Sequence, residues 1–216
     1  MLFILIFFSC KKKTNSEITL DDKKNDTVRI YYDSGKLKEE LTQIGDTTIL
    51  KEYYKNGNLK IKGKLLKDVP IGVWKSYNEE NKLLKRIVEF IVDQEKPKIN
   101  QKIIFNNINI DNKKSFYYSI VNDILTYYSP LDTLSSSHKK NREIKLFVYD
   151  DQGKEKEINF KKRITIKEYS YPMFIYETAS IELDSTFNGD SLTRLLNRQI
   201  LVTKQNIYSE NDHHTD

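Results

Sequence analysis

The stretch that most constrains this chain is Tyr53-Tyr54-Lys55-Asn56-Gly57-Asn58-Leu59-Lys60. Asn-Gly is the strongest short hairpin signal, because both central positions of a tight type I′ turn need φ above zero. Beyond it Leu59 and Ile61 alternate with Lys60 and Lys62, so one face of the strand is apolar and the other charged. Gly63 is expected to break that strand. Pro70-Ile71-Gly72 is expected to turn the chain before Val73-Trp74-Lys75-Ser76-Tyr77. The pattern stands upstream as Tyr31-Tyr32-Asp33-Ser34-Gly35-Lys36-Leu37-Lys38. It returns downstream from Tyr77 to Leu83, where Asn81 takes the place of the glycine. Tyr32 and Tyr54 are 22 positions apart, Tyr54 and Tyr77 are 23. A period in that range marks a stacked array.

These residues resemble the variant MORN repeat of the YwqK-type proteins labelled as antitoxins. Tyr53, Tyr54, Asn56, Gly57, Leu59, Lys60, Gly63, Gly72, Trp74 and Tyr77 stand at the repeat's positions, with Tyr31, Tyr32 and Gly35 in the first copy. The first copy lacks the Gly-x-Trp half, and the third carries one extra residue. The resemblance covers residues 28–92 and implies a repeat-built sheet, with almost nothing about activity. Cross-strand packing accounts for the tyrosines, since aromatic pairs stabilise sheets, and Trp74 is expected to cover an apolar face. The alternative is an aromatic, lysine-rich face that meets lipid headgroups, glycans or a partner protein. Lys51, Lys55, Lys60, Lys62, Lys64 and Lys67 read as a solvated face.

Residues 1–9, MLFILIFFS, are continuously apolar and precede Cys10 and Lys11-Lys12-Lys13. Nine residues cannot span a bilayer, which takes about 20. A short apolar run ending in a small residue reads as an export signal. With Ser9 before the chain's only cysteine, it resembles a bacterial lipoprotein signal, in which Cys10 becomes the acylated first residue. A single thiol cannot form an internal disulfide. Residues 10–27 read as a flexible tether. Lysines rather than acids after Cys10 point to the periplasm-facing side of the outer membrane. The net charge of +5, spread over 36 basic and 31 acidic residues, is mild, and no nucleic-acid signature is present.

From residue 93 the repeat is gone but the texture stays β. Strands are expected at 102–105, 115–121, 144–149, 156–160, 163–169, 173–183 and 198–203, with turns at Asp150-Asp151-Gln152-Gly153 and Asn188-Gly189-Asp190. Residues 119–128 and 191–197 are also compatible with helix. The expected fold class is all-β: an antiparallel hairpin sheet (28–92), then a β-sandwich-like domain (93–208), then a disordered tail (209–216). An array needs a cap, and the apolar run 87–92 is expected to carry the sheet into the second domain.

Candidates for chemistry are few. His138 lies beside Ser135-Ser136-Ser137 without a nucleophile elbow. His213-His214 lack the further ligands that a zinc site needs. Glu168, Glu177, Glu182 and Asp184 lie on or near expected strands, with nothing to single out a catalytic pair. We therefore expect no enzyme, no cofactor and no metal, but a lipid-anchored envelope protein whose repeat sheet is a binding or scaffolding module for an unknown protein partner. The alternative is an antitoxin or immunity protein that neutralises a cognate toxin.

Overall fold

The computed structural model describes residues 26–135, 139–150, 152–187, 190–204 and 206–207. It is built almost wholly of antiparallel strands. The first eight form one sheet in chain order: β1 (Thr27–Tyr31), β2 (Leu37–Ile44), β3 (Thr47–Tyr53), β4 (Leu59–Leu66), β5 (Val69–Tyr77), β6 (Leu84–Asp93), β7 (Lys96–Asn106) and β8 (Asn109–Ile110). The sheet thus runs on past the last repeat, as the apolar run 87–92 foretold.

Two kinds of turn alternate along it. At one end of the strands Gly35 and Gly57 close three-residue loops, at φ +76° and +91°. Tyr54 N–H donates to the Asn58 carbonyl and Gly57 N–H to the Tyr54 carbonyl, and Tyr32 and Gly35 repeat the pattern. Only the glycine is left-handed, so the Asn56-Gly57 hairpin is a type I turn with a glycine bulge, not the expected type I′ turn. In the third copy the left-handed residue is Lys82 (φ +58°), not Asn81. Asn81 instead accepts from Leu83 N–H through its side chain, as Asn56 does from Asn58 N–H. Tyr77 pairs with Leu84 as Tyr53 pairs with Leu59, so its equivalent is Tyr53 and not Tyr54.

At the other end the turns are tight. Lys67-Asp68 and Gln94-Glu95 have both φ values positive. The turn expected at Pro70-Ile71-Gly72 is therefore at Lys67-Asp68, and Pro70 and Gly72 lie inside β5. Gly63, expected to break a strand, sits in the middle of β4.

β9 (Tyr117–Val121), β10 (Ile124–Tyr128) and β13 (Arg163–Thr165) form a three-stranded sheet. A four-stranded one holds β11 (Lys139–Tyr149), β12 (Glu155–Asn159), β14 (Ser170–Phe187) and β15 (Asp190–Val202). The two helix-compatible segments are both strand. Asn122-Asp123, two residue types that tolerate left-handed backbone, turn β9 into β10. Residues 191–197 are laddered onto β14. One core joins the two sheets: Tyr118, Leu125 and Tyr127 face Leu146, Val148, Met173, Ile175, Ile200 and Val202.

The repeat sheet has no such core of its own. Among the described residues before Leu84, only Gly63 is buried. One cross-strand row reads Arg29, Glu40, Lys51, Lys62, Lys75, Ile87, Ile103. Its charged members include the ion pairs Arg29–Glu40 (3.1 Å) and Lys51–Glu40 (3.0 Å). Burial works against the charge on Glu40, but its bonds to Lys51 and Arg29 hold the carboxyl below its ordinary pKa. The row turns apolar where the second half covers it: Ile87 and Ile103 join Leu84, Phe105, Tyr117 and Ile207 in a second buried cluster.

Candidate binding groove on the repeat sheet

The opposite face carries the row Val28, Leu41, Leu50, Gly63. All but Gly63 are half-buried. Gly63 is buried because the Trp74 indole lies on it: a Cβ there would stand 2.1 Å from Trp74 Cδ2. The glycine is required by close approach, not by backbone freedom. Trp74 meets the Phe90 ring edge-on with centroids 6.1 Å apart, and its Nε1–H donates to the Ile71 carbonyl at 3.2 Å.

Beside the indole lies a cavity of about 330 Å³ floored by Ile61, Leu65, Pro70, Val88, Phe90 and Ile99. A second, of about 310 Å³, adjoins it through Ile61, Ser76 and Arg86, and reaches Tyr54, Tyr77 and Lys85. Together they make one groove with an apolar floor. Its charged lining is Lys60, Lys75, Lys85, Arg86 and Lys102, and no carboxylate among the described residues lines it. Lys60 is held by Glu52 at 2.9 Å, which raises its pKa and keeps it protonated. Lys102 lies over the Phe116 ring at 5.6 Å. A groove of this kind suits an elongated ligand with apolar and anionic parts.

The repeat tyrosines divide. Tyr32 hydroxyl donates to the Tyr53 carbonyl at 2.6 Å, and Tyr54 hydroxyl to the Tyr77 carbonyl at 3.0 Å. Each ties its loop to the next repeat, and Asn56 and Asn58 add bonds to the Glu79 carbonyl. Tyr54 and Tyr77 also line the groove, while Tyr31 and Gly35 lie apart from it at the β1–β2 end. Gly72 is left-handed (φ +60°), with open space where its Cβ would be. Cys10, His138, His213 and His214 lie outside the described residues.

Sequence reasoning missed a polar cluster in the second half. Glu177 on β14 is fully buried and accepts from both halves of a clamp. Arg142 bonds its Oε1 through Nε (2.9 Å) and Nη2 (2.7 Å). Tyr127 hydroxyl (2.8 Å), Ser129 Oγ (2.9 Å) and Arg198 Nη1 (2.7 Å) bond its Oε2. Arg142 extends to Asp132 at 2.7 Å. Burial disfavours the charge on Asp132, but the bonds from Arg142 and the Ser129 backbone outweigh it and hold its carboxyl below the usual range. Burial, with the Glu177 charge next, pushes the Tyr127 phenol well up. Every buried polar side-chain atom among the described residues has a partner. The cluster is closed, as a fastening between strands would be. Among the described residues no group of three or more His, Cys, Asp and Glu side chains is placed to hold a metal.

No curated protein and no solved structure matches this chain. Residues 27–43 and 47–67 match the family model of the MORN repeat variant. The first two hairpin units of the sheet are thus MORN repeat variants, and the third, which carries Trp74, lies beyond the match.

Proposed function

We propose that this chain is a lipid-anchored envelope protein whose repeat sheet serves as a non-enzymatic binding or scaffolding module. The observation that carries the binding part is the open groove beside Trp74, apolar in its floor and cationic in its lining. A sheet that only propped up the second half would have no need to gather apolar side chains on its uncovered face. The MORN repeat match agrees with a binding role. The anchor is supported by the apolar residues 1–9 and by Cys10 as the single cysteine.

The test is metabolic labelling with a fatty acid in a bacterial host, on the full chain and on Cys10→Ala, followed by membrane fractionation. Label and membrane association that vanish with Cys10 are expected. An unlabelled, soluble protein would remove the anchor and favour an intracellular role such as the antitoxin one. For the module, a photo-reactive amino acid at exposed Ile99, which lines the groove beside the indole, should trap a partner in cells. Absence of any adduct there would count against the groove as the binding surface.

A further inference from the structure

We propose that the free edge of β15 takes up an extended peptide segment of a partner protein as one more strand of the four-stranded sheet, in the cleft beside the β6–β7 hairpin. The edge belongs to the second half of the chain, and its role does not depend on the groove beside Trp74.

The backbone of β15 is the first ground. β15 is the last strand of its sheet, with β14 on one side only. Antiparallel pairing turns the backbone groups of alternate residues toward one neighbour and then the other. The Ile144 carbonyl accepts from Phe160 N–H on the β12 side, so Lys145 and Phe147 turn toward β14, and their partners Tyr176 and Phe174 toward β11. Leu201, Gln199 and Asn197, opposite Phe174, Tyr176 and Thr178, therefore turn their N–H and C=O outward, as does Leu195. Part of this edge is already filled by side chains. Asn100 accepts from Leu201 N–H (2.7 Å) and donates to the Leu201 carbonyl (2.9 Å), as a residue of a neighbouring strand would. Thr203 N–H donates to the Tyr118 hydroxyl (2.9 Å). At Gln199, Asn197 and Leu195 the series stops: no group among the described residues bonds to their outward N–H and C=O.

The surroundings are the second ground. Open donors and acceptors at every second residue match an extended backbone, whose own groups repeat in the same way. Proteins guard such edges with charge or proline, and Leu195, Asn197 and Gln199 are neither. A cavity of about 540 Å³ opens along the edge, lined by Val92 and Ile99 of the hairpin and by Phe174, Asn197, Gln199 and Leu201. Val92 and Ile99 are exposed, so a strand with an apolar side chain at alternate positions would cover them. Asp93 and Lys98, the charged residues in the lining, pair with each other, which favours a segment of low net charge. A second copy of this chain is a poorer occupant. Its β15 would bring a β6–β7 hairpin of its own into the space beside one edge.

The test pans random peptides of about ten residues, the upper length of common strands, against the full chain. Amide exchange is then followed residue by residue with and without the best binder. In the free chain the amides of Leu195, Asn197 and Gln199 should exchange fast, while those of Leu196 and Ile200, held by β14, are slow. The binder should slow Asn197 and Gln199 by about tenfold or more. Methylating the binder's backbone nitrogens at alternate residues should abolish binding in the set that faces β15 and largely spare it in the other. Slow exchange at Asn197 and Gln199 in the free monomer would mean that the chain covers its own edge. Protection that comes with dimerisation, seen by light scattering without peptide, would mean that a second copy does. Either result, binders that protect other strands, or no binder at all would overturn the proposal. Ile99 lines both this cavity and the groove, so the β15 amides decide here. A partner trapped at Ile99 while those amides stay fast would leave the groove standing and remove the edge.

Discussion

At the residue scale two side chains decide most. Gly63 lets the Trp74 indole lie flat on the sheet, and Gly63→Ala would set a methyl 2.1 Å from that ring. Overpacking of this kind costs about 1–3 kcal/mol. We expect that loss in denaturant unfolding, with a red-shifted emission from the displaced indole, the chain's only tryptophan. Unchanged emission would mean that the ring does not rest there. Glu177 anchors the closed cluster, and Glu177→Gln leaves Arg142 and Arg198 facing a neutral amide. Removing one partner of a buried ion pair costs about 3–5 kcal/mol, to be read from the midpoint shift. The pH dependence follows from the neighbours. Tyr127 is raised by burial and then by Glu177, and Tyr118 by burial. Their contribution is whole below the ordinary tyrosine pKa of about 10 and is lost as pH rises from there through their folded values. Asp132 and Glu40 are lowered. Theirs is present above the ordinary carboxylate value of about 4 and is lost as pH falls through the folded ones. Stability should therefore be flat near neutrality and fall at both ends, and Tyr127→Phe should flatten the alkaline fall.

At the scale of the element, the turns show what the sequence can and cannot tell. The glycine loops at Gly35 and Gly57 announce themselves, because a left-handed position selects glycine locally. Lys67, Gln94-Glu95 and Lys82 do not, since Lys, Gln and Glu do not favour that backbone and only the pairing of their strands imposes it. Lys82→Gly should therefore stabilise by about 1–2 kcal/mol, the strain of one left-handed residue. Asn81→Gly should not, because it loses the side-chain bond to Leu83 N–H. If Asn81→Gly were the stabilising change, the loop would be placed one residue out. The Glu177 cluster was illegible for another reason: its members are 21 to 50 positions from Glu177 and meet only through strand pairing. One trace was available. Met173, Ile175, Glu177, Ala179 and Ile181 share a face of β14, and a carboxylate on an otherwise apolar face points inward.

At the scale of the molecule, the repeat sheet depends on the second half for nearly all its burial, so the joint between them should set its stability. That joint is made by side-chain amides standing in for a backbone ladder. Asn100, 1% exposed, donates to Glu89 (2.7 Å) and to the Leu201 carbonyl (2.9 Å) and accepts from Leu201 N–H (2.7 Å). Gln101, fully buried, donates to Glu89 at 2.8 Å and accepts from Tyr118 N–H at 3.0 Å. The Tyr118 hydroxyl accepts from Thr203 N–H at 2.9 Å. Asn100→Leu would keep the volume but orphan both Leu201 backbone groups, at about 1–3 kcal/mol for each buried group left unpaired. Trp74 reports on the repeat sheet alone, and amide exchange in β14 reports on the second half. In the unaltered chain the two should unfold together, because a sheet whose only buried residue before Leu84 is a glycine has little to hold it once its cap is gone. In Asn100→Leu the Trp74 transition should move to lower denaturant while β14 holds. Coincident transitions in the variant would mean that the Leu84–Ile103–Tyr117 cluster suffices to join the halves, and that the amides serve only to satisfy buried backbone.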